Sequence, residues 1–310
     1  MTDITAVGEI LIDLTQSGIN SRGIPQFDAN PGGAPANLAV AAARLGASAA
    51  FIGKVGADSF GQFLMQTLDD NHVDISGMVT DPHNATTLAV VSLSPSGERS
   101  FSFYRDPSAD VNLRQDELPE HQLKNTRILH FGSVSLTCDP IRTATLHAVN
   151  TAKKAGAIIS YDPNYRASLW PDENTAITQM KAPLELADIL KVSDEELPLL
   201  SGTDDLEAGS ARLSAMGIRL VLVTLGADGA YYRFGDATGH IPGIPCQVAD
   251  TNGAGDTFFG AFLAQLTDLD ALTVPRLESM IAYANKAASI TTSRHGAIPA
   301  MPNYQEVFCD

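Results

Sequence analysis

The sequence predicts an α/β fold of three layers, with a mainly parallel central sheet covered by helices on both faces and a small β-sheet lid. Three observations carry this expectation. Short β-rich apolar runs alternate with helical patterns through almost the whole chain, the order that builds a parallel sheet from βαβ units. Hydrophobic residues make up 44% of the chain and aromatics only 6%, so aliphatic side chains supply most of the core, as suits helices packed on a buried sheet. Two segments break the alternation and read as antiparallel β-structure instead.

Ile4–Ile12 reads as the first strand, nearly continuous in apolar residues because a central parallel strand is buried on both faces. Ala36–Leu45 is Ala-rich with helical periodicity, and Gly46 stands where a glycine commonly ends a helix. Ala49–Val55 returns as a strand and Phe60–Leu68 as an amphipathic helix. Further strands are expected at Arg127–Val134, Ala157–Tyr161, Ile189–Val192 and Arg219–Thr224. The first excursion is a β-hairpin, Thr86–Leu93 and Arg99–Tyr104 about a Pro95-Ser96-Gly97 turn. The second is Ser17–Asn30, which is short of helix signals. No repeat, low-complexity tract or linker divides the chain, so residues 1–310 are expected to form one domain. Lid segments at about 15–30 and 86–112 would be inserted in its α/β core.

The formal charge is −16, and Lys and Arg form no stripe, which argues against a nucleic-acid or membrane-surface partner. An anion site in so acidic a chain has to be built locally, from backbone amides or a metal. Cys138, Cys246 and Cys309 are scattered and make no metal-ligand pattern. They suit a reducing compartment. The opening residues lack a basic, signal-like start, and no apolar run approaches the roughly 18 residues of a membrane span. A cytoplasmic protein is expected.

The segment richest in chemistry is Asp250-Thr251-Asn252-Gly253-Ala254-Gly255-Asp256, which runs straight into the apolar stretch Thr257–Leu263. Glycines let a backbone approach a ligand closely, and the first N–H groups of the following helix point outward as an anion site. Asp256 falls at the mouth of that site, where a carboxylate could take a proton from a hydroxyl facing a phosphoryl group. A plain helix cap would place the same residue there, worth about 0.5–2 kcal/mol. The chain has no Gly-x4-Gly-Lys-Ser/Thr loop, and no Gly-x-Gly-x-x-Gly follows the first strand, so neither a P-loop enzyme nor a dinucleotide dehydrogenase is indicated.

Asp250–Asp256 closely resembles the C-terminal signature of the ribokinase/pfkB family of carbohydrate kinases, and Pro31-Gly32-Gly33-Ala34-Pro35-Ala36-Asn37-Leu38-Ala39 resembles its N-terminal signature. The two stand in the family's order at opposite ends of the chain. The resemblance implies a ribokinase-like fold with a β lid. It implies that Gly253, Ala254 and Gly255 offer amides to the transferring phosphoryl group while Asp256 acts as general base. On the sugar side it implies Asp13, Gly32, Gly33 and Asn37. Phe103 and Arg105 would reach the substrate from the lid, and Arg166 from the Asp162–Arg166 loop. On the nucleotide side it implies Lys191, Ser193, Glu196, Thr224, Gly226, Gly229, Gly255 and Asn285, for ATP. Glu196 would act on the water shell of Mg2+, although Ser193 stands where the family usually carries Asn. Asp250, Asn252, Thr291, Arg294, Gly296 and Ala300 match the positions of a K+ loop found in some members.

Within the family, Gly8–Asp13, Phe103-Tyr104-Arg105 and Asp162–Arg166 with Trp170 look most like fructokinases. That implies phosphorylation of fructose to fructose 6-phosphate, by a monomer or by a homodimer formed through the lid. Alternatives are a 2-keto-3-deoxygluconate kinase, whose anionic substrate would give Arg105 and Arg166 a carboxylate to pair with, and a nucleoside or aminoimidazole-riboside kinase. A non-catalytic sugar-binding member would have no use for the base at Asp256.

Overall fold

The computed structural model describes residues 1–93, 99–105 and 107–308. The turn expected at Pro95-Ser96-Gly97, and Cys309, lie outside them. The first expected strand is two strands, β1 (Thr2–Val7) and β2 (Leu11–Ile19). The break falls at Gly8, whose φ of 153° favours glycine and where a Cβ would stand 2.7 Å from Pro35 Cγ. Past it the chain leaves the large sheet for the small one, so Asp13 belongs to β2 rather than to the end of a core strand.

β3 (Pro25–Gly32) leads into α1 (Ala34–Arg44), followed by β4 (Ala49–Gly56), α2 (Ser59–Asp70) and β5 (Val73–Asp81). β6 (Leu88–Leu93) and β7 (Arg99–Tyr104) make the expected hairpin. The chain then alternates through α3 (Glu120–Lys124), β8 (Thr126–Gly132), α4 (Ile141–Lys154), β9 (Ile158–Asp162), α5 (Glu173–Lys181) and β10 (Ile189–Ser193). α6 (Glu196–Ser201), α7 (Leu206–Ser214) and β11 (Leu220–Thr224) follow, then a second hairpin, β12 (Ala230–Phe234) and β13 (Ala237–Ile241). α8 (Ala254–Gln265), α9 (Val274–Thr292) and α10 (Tyr304–Phe308) close the chain.

The large sheet runs β13-β12-β11-β10-β9-β8-β1-β4-β5, and only its β11–β12 and β12–β13 pairs are antiparallel. Its strands alternate between two cores, as a sheet covered on both faces requires. Leu220 and Leu222 join the core beneath α1, α8 and α9, while Val221 and Val223 join the core beneath α4 to α7. The small sheet runs β3-β2-β6-β7, with β2 and β6 parallel and the other pairs antiparallel. Strand order reverses at β1, between β8 and β4. In sheets of this kind ligands bind outside the carboxyl ends of the strands at such a reversal, which is where β1, β9 and β10 deliver Glu9, Asp162–Arg166 and Ser193. Among the described residues no helix is long and apolar enough to cross a membrane.

Candidate active site

α8 begins at Gly253, which has φ 73° and gives no side-chain cap. A Cβ on Gly253 would stand 2.9 Å from Ala297 Cβ, so the turn needs both the left-handed backbone and the missing side chain. No side chain caps the opening N–H groups of α8, although that of Ala254 donates to Thr251 O at 3.4 Å, and the positive end of the helix lies behind them. Lys191 Nζ lies only 3.2 Å from where a Gly255 Cβ would be. Burial works to discharge Lys191, but the carboxylates of Asp162 and Glu196 hold its pKa above the usual lysine value. Its ion pair to Asp162 Oδ2 measures 2.9 Å.

Asp256, in the first turn of α8, is gripped by two amides. Asn37 Nδ2 donates to Oδ2 at 2.8 Å and Asn164 Nδ2 donates to Oδ1 at 3.1 Å. The first bond exists because α1 and α8 touch backbone to backbone one turn further along: a Cβ on Gly260 would meet Leu38 O at 2.7 Å and Ala41 Cβ at 2.8 Å. Burial pushes the Asp256 carboxyl up, while the Asn37 bond, Lys191, Arg166 and the Asn164 bond pull it down. A buried base of raised basicity with one donor on each oxygen retains lone pairs for an acceptor hydroxyl.

Beside it opens a small cleft with an enclosed volume of about 50 Å³. Asp13, Asn37, Phe103, Asn164, Arg166 and Asp256 line it, together with Glu9, Gly33, Ala34 and Asn252. Asp13 accepts from Asn252 Nδ2 at 3.4 Å, and burial raises its pKa to about 6. A Cβ on Gly32 would come within 2.4 Å of Asp13 Oδ2, and one on Gly33, at φ 106°, within 2.6 Å of Glu9 O. Asn37 Oδ1 and Glu9 Oε2 are buried without a hydrogen-bond partner. Unmet polar oxygens in a cleft wall cost about 1–3 kcal/mol each, so the wall fits a ligand carrying hydroxyl groups, which both donate and accept.

Arg105 sits elsewhere than the sequence suggests. It follows the last residue of β7, so strand alternation no longer fixes its direction, and it turns inward. Its Nε donates to Asp110 Oδ2 at 2.7 Å, and its Nη1 donates to Val134 O and Thr137 Oγ1. It is absent from the cleft lining, whereas Phe103 is there. Arg166 lines the cleft and donates from Nη1 to the carbonyls of Asn164 and Tyr165.

Between β10 and α6, Ser193 and Glu196 form a reciprocal cap. Ser193 Oγ accepts the Glu196 N–H at 3.2 Å, and Glu196 Oε2 accepts the Ser193 N–H at 2.8 Å. Glu196 Oε1 also accepts the Tyr165 N–H at 2.6 Å. Thr224 Oγ1 donates to Val192 O, and the turn Gly226–Gly229 has positive φ at both glycines. Asn285 donates from Nδ2 to Ile241 O and Pro242 O, tying α9 to the end of β13. Of the cation-loop positions, Asp250 and Gly296 come together through a 3.1 Å hydrogen bond, and Asp250 Oδ1 accepts the Asn252 N–H. Thr291 turns to Thr257, Arg294 pairs with Glu306, and Ala300 lies in a short 3-10 turn.

The uncapped amides and Lys191 suit a nucleotide's terminal phosphates. Among the described residues no three Asp, Glu, His or Cys side chains converge on a metal position. Glu9 and Asn164 escape the sequence reading. The available signals are an acid inside an apolar run, and an Asn after Asp-Pro, where a short polar residue tolerates φ 47°.

Residues 1–303 match the family model described as pfkB family carbohydrate kinase. The chain is 45% identical over 309 residues to fructokinase-1 of Zea mays, covering 98% of this chain and 96% of that one. It superposes on a fructokinase from Xylella fastidiosa with bound ATP at a TM-score of 0.91 and 36% identity, covering 98% and 96% of the two chains. A fructokinase from Vibrio cholerae O395, solved with fructose, ADP and calcium ion, gives 0.90 and 36%, covering 99% and 98%. This chain belongs to the pfkB family of carbohydrate kinases.

Proposed function

We propose that this chain is a cytoplasmic, ATP-dependent fructokinase, which moves the γ-phosphoryl group of MgATP to the C6 hydroxyl of fructose. The relatives named above are fructokinases across nearly the whole length of this chain. The single observation that carries the mechanism is the Asp256 carboxylate, held by two amides at the head of an uncapped helix. In this reading Asp256 takes the proton of the acceptor hydroxyl as the oxygen attacks. The amides of Gly253–Gly255 and the Lys191 ammonium stabilise charge on the transferring group, which is most of what phosphoryl transfer asks of a protein. Asp13, Gly32, Gly33 and Asn37 bind sugar hydroxyls. Glu196 meets the magnesium water shell, and carbonyls around Asp250 and Gly296 hold a potassium ion. Residues 1–310 act as one kinase unit, since the family model spans both sheets.

Cleft charge favours a neutral sugar over an acid sugar. Asp13 and Asp256 are opposed in the lining by Arg166 alone, and Arg105 is already neutralised by Asp110. A substrate carboxylate would therefore find at most one partner beside two acids. The test is ADP release with MgATP across fructose, glucose, ribose, adenosine, aminoimidazole riboside and 2-keto-3-deoxygluconate. Fructose should lead in kcat/KM by about 10²-fold or more, since a missing hydroxyl partner is costly in a site built to bind one, with fructose 6-phosphate as product. A lead for the keto acid would overturn the substrate assignment and keep the family.

A further inference from the structure

The loop after β9 does more than carry Arg166 to the cleft. Four consecutive contacts run along it. Asp162 Oδ2 holds Lys191, and Asp162 Oδ1 accepts the Asn164 N–H at 3.1 Å. The Asn164 amide holds Asp256 Oδ1, and the next N–H, that of Tyr165, goes to Glu196. Asn164 is one of two non-glycine residues with positive φ among the described residues, at 47°. Such a backbone costs about 1–3 kcal/mol and persists where surrounding contacts over-determine it. Here the contacts on both sides come from acids that face the phosphate side of the site.

The geometry points to Asn164 as a positioning residue for Asp256: with Asn37 it fixes the plane of the carboxylate, and Asp162 and Glu196 hold Asn164 in the backbone conformation that aims its amide. This rests on the reading of Asp256 as the base and goes beyond it, since one amide alone leaves a carboxylate free to rotate about its Cβ–Cγ bond. The two oxygens take donors from different elements, α1 and the β9 loop, so only the assembled site sets the orientation.

Two variants test it. Asn164→Gly keeps the left-handed backbone and deletes the amide, whereas Asn164→Asp keeps the size and sets a second carboxylate against Asp256. Each is assayed with MgATP and fructose across pH, with Asp256→Asn in parallel. Asn164→Gly should lower kcat about tenfold or more, as misplacement of a reacting group does, and leave KM for fructose within about threefold. Because a lost donor disfavours the ionised carboxylate, the acid limb of kcat should move to higher pH, and further still in Asn164→Asp, where a like charge adds to the effect. A purely structural asparagine would lower melting temperature and activity without moving that limb. An unmoved limb in either folded variant, or a raised KM with kcat intact, overturns the proposal. If Asp256→Asn turns over like the wild type, the base reading fails and this inference fails with it.

Discussion

Glu9 stands in the cleft wall at 3% exposure, and burial lifts its carboxyl from the ordinary 4.5 to about 7. Arg105 and its own hydrogen bonds, including the one from the Ala34 N–H at 3.2 Å, pull the other way and lose. A folded-state pKa above the unfolded one means stability that is fully present below about 4.5 and is lost as pH rises through about 7. Glu9→Gln removes the titration and keeps an acceptor for Ala34. The stability of the variant relative to wild type should therefore grow by about 3 kcal/mol between pH 4.5 and pH 8, read by urea unfolding at both pH values. A constant difference would mean that Glu9 is not held neutral. At this scale the sequence exposes what a short motif encodes: Asp256 and its glycines are adjacent, and their spacing alone suggests an anion site. Asn164 is invisible there because its value depends on one backbone angle and on a carboxylate 92 positions away. Arg105 misleads for a related reason, since alternation is a property of strands and β7 ends at Tyr104.

Among the elements, the α1–α8 contact matters most to the site. Gly260 lets the helices close until its Cα faces Ala41, and that closeness carries Asn37 to Asp256. Gly260→Ala puts a Cβ against the Leu38 carbonyl, which belongs to the backbone and can yield only if the helices part. The variant should lose about 1–3 kcal/mol of stability, as overpacked cores do, together with kcat. Thermal unfolding and turnover measured on the same sample check both, and full activity would show that the Asn37 bond does not need this contact. Apart from β1, the central strands are legible to within a residue or two, because burial on both faces makes them continuously apolar. β5 gives no clear strand signal in the sequence because it is the outermost strand, and its burial alternates irregularly along Val73–Asp81. β13 sits at the opposite edge with no buried residue in Ala237–Ile241, which explains its weak signal in the same way. The split between β1 and β2 was hidden because Ile10, Leu11 and Ile12 stay buried after the chain changes sheets.

For the whole molecule, the parallel sheet brings every functional loop to one end, and the small sheet brings Asp13 and Phe103 over it. A chain of charge −16 thereby keeps helix amides and Lys191 directly beside an acidic cleft. In the proposed mechanism Asp256 acts on the transferring step and Asp13 on the sugar, so the two effects should separate in kinetics. The most direct test is the initial rate of ADP formation from MgATP and fructose in Asp256→Asn against wild type. Loss of the base should lower kcat by about 10²–10⁴-fold, with KM for fructose and for ATP within about threefold of wild type. A variant that retains kcat within about tenfold of wild type would contradict the assignment of Asp256 as the base.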